Sequence, residues 1–162
     1  APCGGRTRAA DHVAARALTG VSWQRRLHAH LHPVMEAQLF YKELGRLLYA
    51  IAAADGRVTS SEVAALKRIV SEQLVPQEVS TDHFGTDQAY ITEFEFDVLA
   101  DRGASAEGAF DSFIAYMAGH KNDLSPERKQ LIYRCADAVG HAFHGGGKAE
   151  LPLLIELHRH LH

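Results

Sequence analysis

The sequence predicts an all-α fold, a compact bundle of about six helices that includes two pseudo-repeated helical hairpins. Apolar residues recur at spacings of three and four through six segments of the chain, which is the period of an amphipathic helix. A glycine, a proline or a Ser/Thr cap signal separates each segment from the next. The 162 residues, 46% of them hydrophobic, are enough to bury one sizeable core in a single domain.

The first two predicted helices meet at a short glycine joint. Residues 35–54 form the first helix, and Gly56 supplies the left-handed residue that commonly closes a helix. Thr59 and Glu62 fit a capping box at the start of the second helix, and Pro76 ends it. The apolar positions expected to face the core are Phe40, Leu44, Leu47, Leu48 and Ile51 in the first helix and Val63, Leu66, Ile69, Val70 and Leu74 in the second.

Turn-forming residues at 76–86 predict a loop, after which the helical period resumes. The third helix begins near residues 86–87 and ends at Gly103. Ser105 is the predicted N-cap of the fourth helix, which ends near Gly119. The side chains expected to face inward are Tyr90, Ile91, Phe94, Val98 and Leu99 in the third helix and Phe110, Phe113, Ile114 and Met117 in the fourth.

The last two helices have equally clear limits. Ser125 followed by Pro126 predicts the start of the fifth helix, because proline is favoured at the first helical position. The glycines at 145–147 end it, and the sixth helix begins around 148–151, with Pro152 tolerated in its first turn. The expected inward side chains are Leu131, Ile132, Cys135, Ala138, Val139 and Ala142 in the fifth helix and Leu151, Leu154, Ile155, Leu157 and Leu161 in the sixth.

Residues 1–34 differ in composition from the rest and are expected to be a poorly ordered or loosely attached N-terminal extension. They hold five Arg, no Lys and one acid, a net charge of +4. A short helix over 22–32 is compatible with the apolar spacing, and Pro33 would end it. The arginine-rich, acid-poor composition fits either an organelle transit peptide or a dispensable extension. The domain proper is predicted to span residues 35–162.

Charge and cysteine usage narrow the classes of partner and compartment. Residues 35–162 carry a net charge of −7, which argues against nucleic acid, where a basic stripe is expected, and suits cations or basic partners. Cys3 and Cys135 lie far apart and form no CxxC pair, so a buried thiol at Cys135 in a reducing, cytoplasmic setting is expected. No apolar run approaches the roughly 20 residues that span a bilayer, so membrane insertion is not expected.

The sequence carries no pattern typical of catalysis, and we expect a protein that is not an enzyme. It contains no GxSxG, Walker loop, HExxH or Cys/His nucleophile pairing. The glycines at 145–147 are followed by Lys148, but the Ser or Thr of a phosphate loop is missing.

Two groups of side chains are candidate sites for a divalent metal ion. Asp55 lies at the end of a predicted helix, where a negative charge opposes the helix dipole, so a cation, Arg57 or an Asx turn is expected to offset it. Glu62 is either a second ligand or the acid of the capping box.

On the predicted fifth helix, Asp137, His141 and His144 fall at i, i+4 and i+7 and share one face, with Glu150 across the following turn. These residue types suit a divalent transition metal. The alternative is a solvated polar face.

The two predicted hairpin joints echo one another. Residues 52–56 and 138–145 are both small-residue helix ends with glycine, and each is followed by an acid, Glu62 or Glu150, in the first turn of an apolar helix. The second copy lacks the Asp of the first and has His144 nearby, one residue out of register.

The stretch from Leu47 to Val63, with Ala54-Asp55-Gly56 followed by Glu62, resembles the signature of the TerB-like domains, which are named for bacterial tellurite resistance and also occur in some DnaJ-type co-chaperones. The resemblance covers residues 35–162. It implies a compact helical bacterial domain that works in tellurite or metal stress beside membrane-associated ter-system partners. It also implies that Asp55 and Glu62, with Glu150 in the second copy, bind a divalent metal ion. The alternative is a protein–protein interaction or adaptor module without metal.

Overall fold

The computed structural model describes residues 21–56, 58–77, 89–144 and 149–162. For residues 21–35, 77, 143 and 144 it describes the backbone only. Within these residues the protein is an all-α bundle without strands, and the predicted fold class is confirmed. The helices are α1 (Val21–Ala52), α2 (Ser60–Ile69), α3 (Tyr90–Arg102), α4 (Ala106–Gly119), α5 (Pro126–His144) and α6 (Leu151–Leu161).

Helix α1 is the centre of the bundle. It packs against α3, α4 and α5, while α2 packs mainly on α5, and α6 packs on α5 and α4. Burying one Leu, Ile or Phe side chain stabilises a fold by about 1.5–3 kcal/mol, so the many buried side chains of α1 make it the main apolar surface of the core. Its largest fully buried side chains are Phe40, Tyr41, Leu44, Leu47, Leu48 and Ile51.

The predicted helix ends are confirmed where local chemistry sets them. Gly56 is left-handed, with φ of 96°, and its N–H donates to the Ala53 carbonyl at the close of a 3-10 turn, Ala53–Asp55. Gly103 is also left-handed, with φ of 57°, and closes α3. Ser105 is the N-cap of α4 and accepts a hydrogen bond from the Gly108 N–H at 3.2 Å. These groups satisfy backbone atoms that have no partner inside the helix.

The second predicted helix changes its winding before it ends. After Ile69 the chain makes a π-helical turn over Val70–Leu74 and a 3-10 turn over Val75–Gln77. Val70 and Leu74 are both buried, as expected. The predicted loop at 76–86 lies largely outside the described residues, as do the glycines at 145–147.

The prediction that Pro33 ends one helix and that another begins at residue 35 is wrong. Helix α1 runs without a break from Val21 to Ala52. A proline inside a helix removes a single i→i−4 hydrogen bond, and here the helical turns continue on both sides of it. Residue 35 thus lies within α1, and the division into an extension and a domain stays a prediction. The remainder of the expected extension, residues 1–20, lies outside the described residues.

Several side chains expected in the core are exposed instead. Tyr90 and Phe94 of α3 are 41% and 69% exposed, because α3 turns another face towards α1. On that face the Thr92 hydroxyl donates to the Tyr41 carbonyl at 3.1 Å, and Phe96 is fully buried. The same correction applies to Ala142 at the C-terminal end of α5 and to Leu151 and Ile155 of α6, which are all exposed.

Cys135 is buried in the core, as predicted, and burial raises the pKa of its thiol to about 12. A thiol with so high a pKa stays protonated near neutral pH and is a poor nucleophile. In the described part of the chain, no helix combines the length and the apolar composition needed to cross a membrane.

Candidate functional site

The joint between α1 and α2 holds the first pair of candidate metal ligands. The Thr59 N–H donates to Glu62 Oε2 at 2.5 Å, and the Glu62 N–H donates to Thr59 Oγ1 at 3.4 Å. These two bonds form the predicted capping box, so one Glu62 oxygen already accepts a backbone hydrogen bond. Asp55 is exposed on the preceding 3-10 turn. Metal binding by Asp55 and Glu62 stays a prediction.

The second group of candidates lies between α5 and α6. Asp137 and His141 are one turn apart on the same face of α5, as their spacing predicts. His141 Nδ1 lies 2.8 Å from the Asp137 carbonyl oxygen and 3.5 Å from Asp137 Oδ1. Glu150 stands at the start of α6 and faces them across the turn. The side chain of His144 lies outside those described, so its predicted part in the group stays a prediction.

Asp137, His141 and Glu150 line one open cavity of about 520 Å³, which we call the Glu150 cavity. This volume lies in the range of small-molecule and side-chain binding sites. Much of its wall is apolar. The cavity is lined by Tyr133, Asp137, Gly140, His141, Glu150, Leu151, Leu154, Ile155, His158 and Arg159.

Glu150 is the most unusual side chain of this cavity, because it is only 3% exposed. Among the buried side-chain nitrogen and oxygen atoms of the described residues, its Oε2 has no hydrogen-bond partner. Gly140 makes room for it, since a Cβ at that position would lie 3.3 Å from Glu150 Cγ. Lys148, two residues away, lies outside the described residues. Leaving one buried oxygen without a hydrogen bond costs about 1–3 kcal/mol, and the positive end of the α6 dipole offsets about 0.3–1 kcal/mol of this cost.

The described side chains offer this carboxylate an incomplete set of metal ligands. Among them, no three His, Cys, Asp or Glu residues lie close enough together to hold one ion. The apolar wall formed by Leu151, Leu154 and Ile155 also extends the cavity well beyond the size of an ion. The arrangement therefore suits a cationic group that carries apolar atoms with it.

A second cavity of about 560 Å³ continues along the same side of the α5–α6 pair, and we call it the basic cleft. It shares Tyr133 and His158 with the Glu150 cavity, and the rings of these two residues meet edge to face at 5.7 Å. The rings of His158 and His162 lie 4.5 Å apart. The cleft is lined by Pro126, Lys129, Gln130, Tyr133, Arg134, His158, Leu161 and His162.

The two cavities together form one surface, the α5–α6 groove. Its two acids, Asp137 and Glu150, lie in the Glu150 cavity together with Arg159, and its other cavity has Lys129 and Arg134 and no acid. Sequence reasoning found Asp137, His141 and Glu150 but missed Tyr133 and Arg134. A signal was present, since Tyr133, Asp137 and Gly140 follow one another at helical spacing along α5. What the sequence does not state is that α6 lies beside this stripe with Leu151 and Ile155 outward.

The unpartnered Oε2 of Glu150 leads to a prediction about stability. We expect Glu150→Gln to raise the free energy of unfolding by about 1 kcal/mol, because the amide keeps the shape of the side chain and removes the cost of the buried charge. Urea unfolding of the ligand-free chain would measure it. Glu156→Gln, an exposed position on the same helix, should change stability by less than about 0.5 kcal/mol. A loss of stability in Glu150→Gln would mean that the carboxylate has a cationic partner within the chain.

Comparison with protein-family models, with curated proteins and with solved structures returns no match for this chain.

Proposed function

We propose that this chain is a non-enzymatic interaction domain, related to the TerB-like domains, that holds a partner protein in the α5–α6 groove. One observation carries the proposal, which is the Glu150 carboxylate, buried in the wall of an open cavity with one unpartnered oxygen. A partner that brings a positive charge to this oxygen removes the cost of burying it. The acidic body of the domain, at −7 over residues 35–162, attracts such a partner over longer distances.

The shape and composition of the Glu150 cavity favour a lysine or arginine side chain as the group that enters it. Both side chains combine an apolar stem with a charged end. The stem would lie along Leu151, Leu154 and Ile155, and the charged end would meet Glu150. A guanidinium can form two parallel hydrogen bonds with one carboxylate, which makes arginine the better fit.

The absence of enzymatic activity is part of the proposal and is supported by the side chains available. The sequence carries no recognised catalytic pattern, and the thiol of Cys135, with its pKa raised to about 12, is buried away from the α5–α6 groove. As a TerB-like domain, the chain would work in the bacterial cytoplasm in tellurite or metal stress, beside membrane-associated ter-system proteins.

A divalent cation is the second candidate ligand, and the same unpartnered oxygen of Glu150 favours it. Asp137, His141 and His144 would complete such a site, or Asp55 and Glu62 would hold an ion at the other joint. Ca²⁺, Mg²⁺, Mn²⁺ and Zn²⁺ can be tested by following the melting temperature of the full chain. An ion present at 100 times its Kd raises the free energy of unfolding by about 2.7 kcal/mol. The metal would be favoured if an ion raises the melting temperature and a substitution removes this effect. The substitutions are Glu150→Gln for the second joint and Asp55→Asn with Glu62→Gln for the first.

The first proposal is tested with a probe that carries the cationic group alone. We expect N-acetyl-arginine methylamide, at millimolar concentration, to shift the backbone amide NMR signals of Gly140 and Leu151 in the ¹⁵N-labelled full chain. The matched control is the citrulline analogue, which has nearly the same shape and no charge. Glu150→Gln should remove the shifts, and Glu156→Gln should preserve them. Equal shifts with both probes, or shifts that survive Glu150→Gln, would contradict the proposal.

A further inference from the structure

Resting on the proposed function above, we infer that the partner segment is a short amphipathic helix. Its basic residue enters the Glu150 cavity, and an acidic residue two helical turns away meets the basic cleft. Three features of the α5–α6 groove support this occupant, and each constrains a different part of the partner.

The first feature is an apolar stripe that lines the Glu150 cavity and reaches the basic cleft at Tyr133. Tyr133, Leu151 and Ile155 are 38%, 53% and 47% exposed, and all three line the Glu150 cavity. Half of the large apolar side chains that are exposed in the described part of the chain, three of six, therefore lie on one face. Clustered exposed apolar side chains mark interaction surfaces, whereas isolated ones do not.

The second feature is the opposite charge of the two ends of the groove. Asp137, Glu150 and Arg159 line one end and give it a net charge of −1, whereas Lys129 and Arg134 line the other end, which has no acid, and give it +2. His158 lines both cavities. The described contacts pair neither Lys129 nor Arg134 with an acid. A ligand with a single charge would be attracted by one end and repelled by the other. A segment with one charge of each sign, correctly spaced, is attracted by both, and this arrangement fixes its direction.

The third feature is the separation of Arg134 and His141 along α5, which is two helical turns. Arg134 borders the basic cleft and His141 borders the Glu150 cavity, seven residues further along α5. Seven residues of helix rise roughly 10 Å, or two turns. On a partner helix that lies along α5, residues i and i+7 are separated by the same distance and lie on the same face, with apolar residues at i+3 and i+4 between them. Helices commonly recognise grooves through anchors at these positions.

The inference is tested by selection from a peptide library, because this requires no knowledge of the natural partner. The library displays 18-residue peptides on an alanine-rich helical frame, with eight randomised positions on one face, and the bait is the full chain. A second library without a helical frame serves as the comparison. We expect the helical library to yield peptides with Arg or Lys and Asp or Glu seven residues apart, on either side of apolar residues.

Substitutions then assign each charge to its end of the groove. We expect Glu150→Gln to lower the affinity of the chain for the selected peptide by about tenfold. Arg134→Glu should lower this affinity several-fold. A peptide whose acidic residue is replaced by a basic one should bind the Arg134→Glu variant with the original affinity. Arg102→Glu, an exposed position that lines neither cavity, should leave the affinity unchanged. The effect of Arg134 should also fall at high salt, because exposed charges are screened.

The other outcomes separate this inference from the function on which it rests. Peptides that need Glu150 but carry no acidic residue, or that come only from the unframed library, would overturn the inference and leave the proposed function standing. Both the inference and the proposed function would be overturned if Glu150→Gln leaves the affinity of the selected peptides unchanged and the arginine probe gives no response. Self-association of the chain that Glu150→Gln abolishes would identify a second copy as the occupant and would also overturn the inference.

Discussion

Replacing Arg46 with methionine will lower the free energy of unfolding by about 3 kcal/mol, because it leaves two buried carboxylates without their cation. Glu43 and Glu95 are only 6% and 9% exposed. Arg46 Nη1 lies 2.8 Å from Glu43 Oε1, and Arg46 Nε lies 2.9 Å from Glu95 Oε1. Ser112 completes the network, accepting from Arg46 Nη1 at 2.6 Å and donating to Glu43 Oε2 at 3.0 Å. One guanidinium thus joins α1, α3 and α4.

The expected loss of stability lies at the lower end of the range for a broken buried ion pair. The reason is that the Arg46 side chain is 27% exposed, so water screens part of its charge. Urea unfolding followed by circular dichroism would measure it. Replacing both carboxylates as well, in Arg46→Met with Glu43→Gln and Glu95→Gln, should recover most of the loss, because this network then holds no buried charge. Arg102→Met, at an exposed position, is the matched control. A loss below about 1 kcal/mol in Arg46→Met would show that solvent already satisfies the two acids.

The helix limits were predictable because each depends on a few neighbouring residues. Gly56, Gly103 and Ser105 act on backbone groups within four positions of themselves, so their roles can be read without knowing the fold. Pro33 shows the limit of such reasoning. Its effect on the chain depends on the helical turns around it, and α1 continues through it.

The faces of the helices were less predictable, because packing partners decide them. Periodicity alone suggested Tyr90 and Phe94 as core residues of α3. The buried face instead includes Thr92 and Glu95, whose polar atoms find partners on α1. Apolar spacing does not indicate that a threonine or glutamate will be buried, since this requires knowing which groups lie opposite.

The candidate site divides in the same way. Asp137 and His141 lie one turn apart on a single helix, and Glu150 follows after a short connection, so the sequence could place them near one another. The basic cleft could not be foreseen, because it brings Arg134 of α5 beside His162 of α6. Residues 28 positions apart share a surface only once the crossing of the two helices is known.

Helices α1 and α3 lie in close contact at Gly45, a residue that the sequence does not distinguish from any other helix glycine. A Cβ at this position would lie 2.7 Å from the Thr92 carbonyl oxygen and 3.0 Å from Glu95 Cβ. The first of these is a backbone atom of α3 and can move only if the helix moves. The Tyr41–Thr92 hydrogen bond and the Arg46 network lie on either side of this contact, so a shift of α3 would disturb both.

We therefore expect Gly45→Ala to lower the free energy of unfolding by about 1–2 kcal/mol, because the clash costs up to about 3 kcal/mol and the better helix propensity of alanine offsets about 1 kcal/mol of it. Gly108→Ala in α4 is the matched control, because the nearest neighbour of its Cβ would lie at an ordinary 3.7 Å. There the helix propensity should act alone and raise stability by about 0.5–1 kcal/mol. Chemical denaturation of the two variants and of the parent chain should show changes in the free energy of unfolding that have opposite signs. The same gain in both would mean that α1 and α3 are not held as closely as Gly45 requires, and that the position of the Arg46 network does not depend on this glycine.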